Sequence, residues 1–113
     1  MTRVLILQDG MDISIIGHAE KINEGKDNLL CCAVSVLGQT LAQVAMDIEA
    51  EGEAKASINI EKGFIRVKVA ASKEGMRKFK ERAKAIETGF ELLKAEYPEQ
   101  IFMAGEICFL NLI

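Results

Sequence analysis

Apolar and polar positions change their period several times along the chain, and each change marks an element. Thr2 to Leu7 is a short strand-like run, and Asp12 to Ile16 is a second. Between them Asp9-Gly10 is a turn signal, because glycine accepts a positive φ. Gly17 to Asp27 is polar, contains Gly25 and reads as a loop. From Asn28 to about Ala50 the chain is helical in length and apolar on nearly every side, so burying it would take its own sheet and a second surface. Ser57 to Glu61 alternates, with Ile58 and Ile60 on one face. Lys62-Gly63 turns the chain, and Ile65, Val67 and Val69 alternate with Arg66 and Lys68, a hairpin with one wet face. Met76, Phe79, Ala83, Ile86, Phe90, Leu93 and Tyr97 then recur at three- and four-residue steps, a core stripe on a helix that Pro98 ends. Ile101 to Ile107 is expected as a last strand, followed by the apolar tail Cys108 to Ile113. The order β-β-α-β-β-α-β, with two helices on one face of a mostly antiparallel sheet, is an α+β two-layer sandwich.

The 113 residues contain no linker, repeat or low-complexity segment, and are expected to form one domain, 1–113. A net charge of −3 argues against general nucleic-acid binding. Basic residues do concentrate at Arg77, Lys78, Lys80, Arg82 and Lys84, either as a solvated helix face or as a patch for an acidic or RNA-bearing partner. No signal peptide precedes the first strand, and no stretch reads as a membrane span, so a cytoplasmic protein with no membrane partner is expected. Cys31, Cys32 and Cys108 are an odd count with two adjacent members. Adjacent residues rarely provide disulfide geometry, so reduced thiols are expected.

His18, the single histidine, lies where the second strand ends, with Gly17 before it and a loop after it. Asp27 or Asn28 is a suitable N-cap, which would place Cys31 in the first turn of the long helix. Unpaired amides and the helix dipole there would favour a thiolate and could hold an oxyanion. A thiol so placed, with an imidazole to manage the proton, is what nucleophilic catalysis at neutral pH requires. Cys32 is expected to be simply buried. Ser35, one turn after Cys31, either orients the thiol or imidazole or bonds back to its own helix. Asp27 is either a cap or a third catalytic member. One histidine and two adjacent cysteines lack metal-ligand spacing, no phosphate-cradling glycine loop is present, and neither a metal nor a cofactor is expected.

Gly17-His18-Ala19, a loop with Gly25 and Asp27, and then Cys31-Cys32-Ala33-Val34-Ser35 resemble the ribosomal-processing cysteine protease family, whose pattern is Gly-His-Ala, a glycine-containing loop and a Cys-Ala-x-x-Ser helix start. The resemblance extends to element order and length, and so covers nearly the whole chain. It implies a homodimeric α/β protease that removes an N-terminal extension from protein twenty-seven of the large ribosomal subunit, cutting beyond an aromatic pair. It places the catalytic histidine on His18 and the nucleophile on Cys31, with Ser35 and Asp27 in supporting positions. Three departures stand out: Cys32 where alanine is usual, an acidic residue one position further from the cysteine, and a longer C-terminal tail. Two other readings remain in view, a prophage relative that trims capsid or scaffold proteins and a catalytically silent module that only binds the ribosomal precursor.

Overall fold

The structure, a computed structural model, describes residues 1–17 and 26–109, of which 26–28 by backbone alone. Strands β1 (Thr2–Leu7) and β2 (Asp12–Ile16) are followed by helix α1 (Lys26–Ala50), the hairpin of β3 (Ala54–Glu61) and β4 (Phe64–Ala71), helix α2 (Lys73–Glu96) and β5 (Ile101–Ala104). The sheet order is β3-β4-β2-β1-β5. Every neighbouring pair is antiparallel except β1 with β5, which pairs Thr2 with Ile101 in parallel. The element order and the α+β class are those that the periodicity predicts.

Alternation decides which side of the sheet the helices cover. Val4 and Ile6, Ile13 and Ile15, and Ile65, Val67 and Val69 all point to one face and are buried there. Leu30, Val34, Leu41, Ala42, Ala45 and Ile48 come down from α1, and Phe79, Ala83, Ile86 and Phe90 from α2. Full burial of a side chain of this size contributes about 1.5–3 kcal/mol, so a register slip of one residue, which would turn a whole strand over, is strongly excluded. On the opposite face Asp12 is buried, and Arg66 grips both its oxygens at 3.1 and 2.9 Å. The guanidinium holds the Asp12 carboxyl below its usual range. α2 starts at an N-cap, where Ser72 Oγ accepts from the Gly75 N–H at 3.1 Å.

Several boundaries differ from the sequence reading. The β1–β2 turn takes four residues, Gln8 to Met11, between the paired Leu7 and Asp12, and Gln8, Asp9 and Gly10 all have positive φ. β3 begins three residues early, at Ala54, because small residues there still alternate. β5 stops at Ala104 rather than Ile107, since Gly105 turns the chain with φ +85. By length and composition Leu29–Ala50 is long and apolar enough to cross a bilayer, contrary to the expectation that no stretch is, yet here it packs on the sheet and on α2. Its outward row, Leu29, Val36 and Met46, stays exposed.

The basic cluster on α2 is largely paired within the fold. Arg77 bonds Glu74 and Glu81, Lys78 meets Glu51 and Glu53, Arg82 meets Glu51, and Lys84 meets Glu87. Lys80 departs from both expectations: it is 1% exposed, and its Nζ donates to the Cys108 carbonyl at 2.7 Å. Two turns on, buried Glu87 accepts from the Ile107 N–H at 2.9 Å. Together they fasten the chain after β5 under the β1–β2 turn, where the Cys108 N–H donates to the Asp9 carbonyl at 3.1 Å. Leu110, Leu112 and Ile113 lie outside the described residues. Glu87→Ala would strand the Ile107 amide, and we expect a loss of about 1–3 kcal/mol in urea unfolding. Glu87→Gln keeps an acceptor and is expected to lose less.

Candidate active site

One end of the sheet opens into a cleft of about 290 Å³. Its walls are Cys31, Val34, Ser35 and Gln39 from α1, Ile15 from β2 and Gly17 just after it, Thr2 from β1, and Ile60 to Ile65 from the β3–β4 hairpin. Cys31 and Ser35 line the same cleft because they are one helical turn apart. Cys31 is half-buried and packs on the core, while Cys32 points away and is exposed. This corrects the expectation of a buried Cys32: successive helix residues diverge by about 100°, and Cys32 falls on the outward row with Leu29 and Val36. Cys108 is half-buried, and none of the three thiols is bridged.

A second correction concerns the start of the helix. α1 runs through Asp27 and Asn28 from Lys26, so neither is its N-cap, and Cys31 is in the second turn. The N–H groups without an intrahelical acceptor are those of the first turn. The dipole also falls off within that turn, so Cys31 gains less from the helix end than a first-turn thiol would. The Asp27 side chain and the whole of His18 lie outside the described residues, as do Ala19 to Gly25, where the sequence predicts a loop.

Gly17 explains how the chain reaches this point. Its φ is +98, and a Cβ there would lie 2.4 Å from the Met1 carbonyl oxygen. Its N–H donates to the Gly63 carbonyl at 2.8 Å, which joins the end of β2 to the β3–β4 turn. The residue before His18 is therefore glycine for two separate steric reasons.

Ser35 Oγ accepts from Gln39 Nε2, one turn further along α1, at 3.1 Å. Gln39 escaped the sequence reading, although its place four residues after Ser35 was the available signal. Thr2 escaped as well. It is wholly buried in the cleft wall, and its Oγ1 has no hydrogen-bond partner among the described residues. The wall from Ile60 to Phe64 could not be found from sequence, because it reaches the thiol only through the sheet. Among the described residues no three His, Cys, Asp or Glu side chains converge as metal ligands.

The family model described as cysteine protease Prp matches residues 1–102. This chain belongs to the Prp cysteine protease family. Its fold is similar to that of the essential ribosomal processing protease Prp from S. aureus in complex with a covalently linked product peptide. The TM-score is 0.66 at 16% identity, over 93% of this chain and 97% of that one. The S. aureus protein in complex with a substrate peptide gives 0.64 at 15%, over 93% and 97%. SMU.848 from Streptococcus mutans gives 0.67 at 19%, over 93% and 95%. No curated protein matches the chain. The Prp match ends just before the segment that Lys80 and Glu87 fasten. Gly17→Ala, which places a methyl against Met1 and forces a left-handed backbone on alanine, is expected to lower stability by about 1–3 kcal/mol in denaturant unfolding.

Proposed function

We propose that this Prp-family chain is a thiol endopeptidase that removes the N-terminal extension of large-subunit ribosomal protein twenty-seven. The observation that carries the reading is a single cleft walled by Cys31, Ser35 and Gly17, with His18 next in the chain after Gly17. The S. aureus proteins of the same fold are ribosomal processing proteases crystallised with substrate and product peptides, which supports a peptide as occupant.

In this mechanism His18 accepts the Cys31 proton, and the thiolate sulfur attacks the scissile carbonyl carbon. The tetrahedral intermediate collapses as His18 returns the proton to the leaving amine. Water, deprotonated by the same imidazole, then attacks the thioester and regenerates the thiol. Ser35, held as an acceptor by Gln39, has its hydroxyl proton to offer within the cleft. Asp27 is proposed only as a supporting residue. No cofactor or metal takes part in this scheme, and the reducing cytosol keeps the thiol available.

Incubation with the recombinant ribosomal precursor, followed by mass analysis of the products, tests the assignment. Cys31→Ala is expected to abolish cleavage and Cys32→Ala to preserve it. His18→Ala should slow it at least roughly a hundredfold. Cys32 is the more exposed thiol, so faster iodoacetamide labelling of Cys31 near pH 7 would report activation rather than access. Cleavage by the Cys31 variant would refute the scheme.

We also propose a homodimer. Leu29, Val36 and Met46 stand exposed along α1 among the polar Gln39, Thr40 and Gln43, and a two-fold contact is the commonest way to bury such side chains. Light scattering at micromolar concentration should give twice the chain mass, and a monomer mass would dismiss the dimer.

A further inference from the structure

The peptidase reading leaves open how a peptide is held beside Cys31, and the sheet register bears on that question. β3 is an outer strand, with β4 as its neighbour on one side only. The Val69 N–H donates to the Met11 carbonyl at 2.8 Å, so the Val69 backbone faces β2 and not β3. Its cross-strand partner is Ala56. Ala56 therefore turns its own backbone groups away from β4, and its N–H donates outward to Glu49 Oε2 at 2.7 Å. In an antiparallel pair the hydrogen-bonding direction alternates every residue. Ile58 and Ile60 consequently also present their N–H and C=O groups to the outside, while Ser57, Asn59 and Glu61 pair with β4.

The two ends of this edge differ. At the far end the Glu49 carboxylate occupies the Ala56 N–H, a device that stops strand addition. At the near end Ile60, 51% exposed, is itself a wall of the cleft with Cys31, Ser35 and Phe64. Among the described residues the edge is thus closed at its far end and open where it meets the cleft.

We infer that the substrate docks as an added strand on the outer edge of β3, its main chain paired with Ile58 and Ile60 and its scissile bond carried into the cleft. This rests on the peptidase reading and adds to it how the peptide is recognised. Ile58 to Ile60 spans about 7 Å at roughly 3.3 Å per residue, room for about three residues of extended peptide. Main-chain pairing supplies affinity, and alternate side chains reach the protein.

The test uses a peptide covering the extension and cut site of the ribosomal precursor, with a set of versions each N-methylated at one residue. Strand addition predicts a period of two. Methylation at amides facing β3 lowers kcat/KM about tenfold, and methylation at those between them leaves it nearly unchanged. Amide hydrogen exchange locates the edge, in Cys31→Ser protein with the unmethylated peptide. The Ile58 and Ile60 amides should slow on binding, and those of Ser57 and Asn59 should not change. Ile58→Pro removes an outward N–H without breaking a β3–β4 bond, and should raise KM with little loss of stability. A flat methylation scan, or unchanged exchange at Ile58 and Ile60 while the parent peptide is cut, overturns the docking inference alone. Protection of both amides in the free protein would mean that a second copy holds the edge, and overturns it too. A parent peptide that the wild-type protein does not cut removes the peptidase reading and this inference together.

Discussion

Three chain segments meet at the mouth of the cleft, and their separation is set by the absence of one side chain. Gly17 lies against the Met1 carbonyl at a distance no β-carbon tolerates, and its N–H is bound by Gly63. The start of β1, the end of β2 and the β3–β4 turn are drawn together by that contact. α1 then lays Cys31 and Ser35 over them. If the strand ends spread apart at this point, the cleft would lose its walls while the rest of the sheet kept its pairing, because the remaining ladder bonds lie further along the strands.

The fold was readable to a large extent because its signals are local. Ile13, Ile15, Ile65, Val67 and Val69 alternate as strands on a single covered face must, and the Phe79–Ala83–Ile86–Phe90 stripe has helical spacing. What failed involved competition between local cues and neighbours distant in sequence. Asp27 and Asn28 look like a cap, yet α1 extends past them to Lys26. Cys32 sits in an apolar stretch, but its direction on the helix puts it outside. Ile107 looks like strand, but Gly105 has already turned the chain.

The same division holds at the site. The Gly17-His18 and Cys31-to-Ser35 spacing is local and could be read directly, which is how the family came into view. Gln39, Thr2 and the Ile60–Phe64 wall reach the cleft by way of strand pairing and helix packing, and no spacing rule links residue 2 to residue 31. The basic run on α2 shows the same limit. Its clustering in sequence left a solvated face and a partner patch both open, whereas most of its members answer acidic residues on the turn that follows α1 and on α2 itself.

The parallel pairing of Thr2 with Ile101 joins nearly the first residue to one of the last. During synthesis β1 can form its hairpin with β2 early, but its other side stays bare until β5 has left the ribosome. Contacts of such long sequence separation close slowly, and an uncovered strand is vulnerable to aggregation in the interval. All the walls of the cleft lie within the first 65 residues, so the thiol pocket is encoded well before the strand that completes the sheet. Completion of the sheet thus comes after the cleft is encoded, and the segment bound by Lys80 and Glu87 is the latch that follows it.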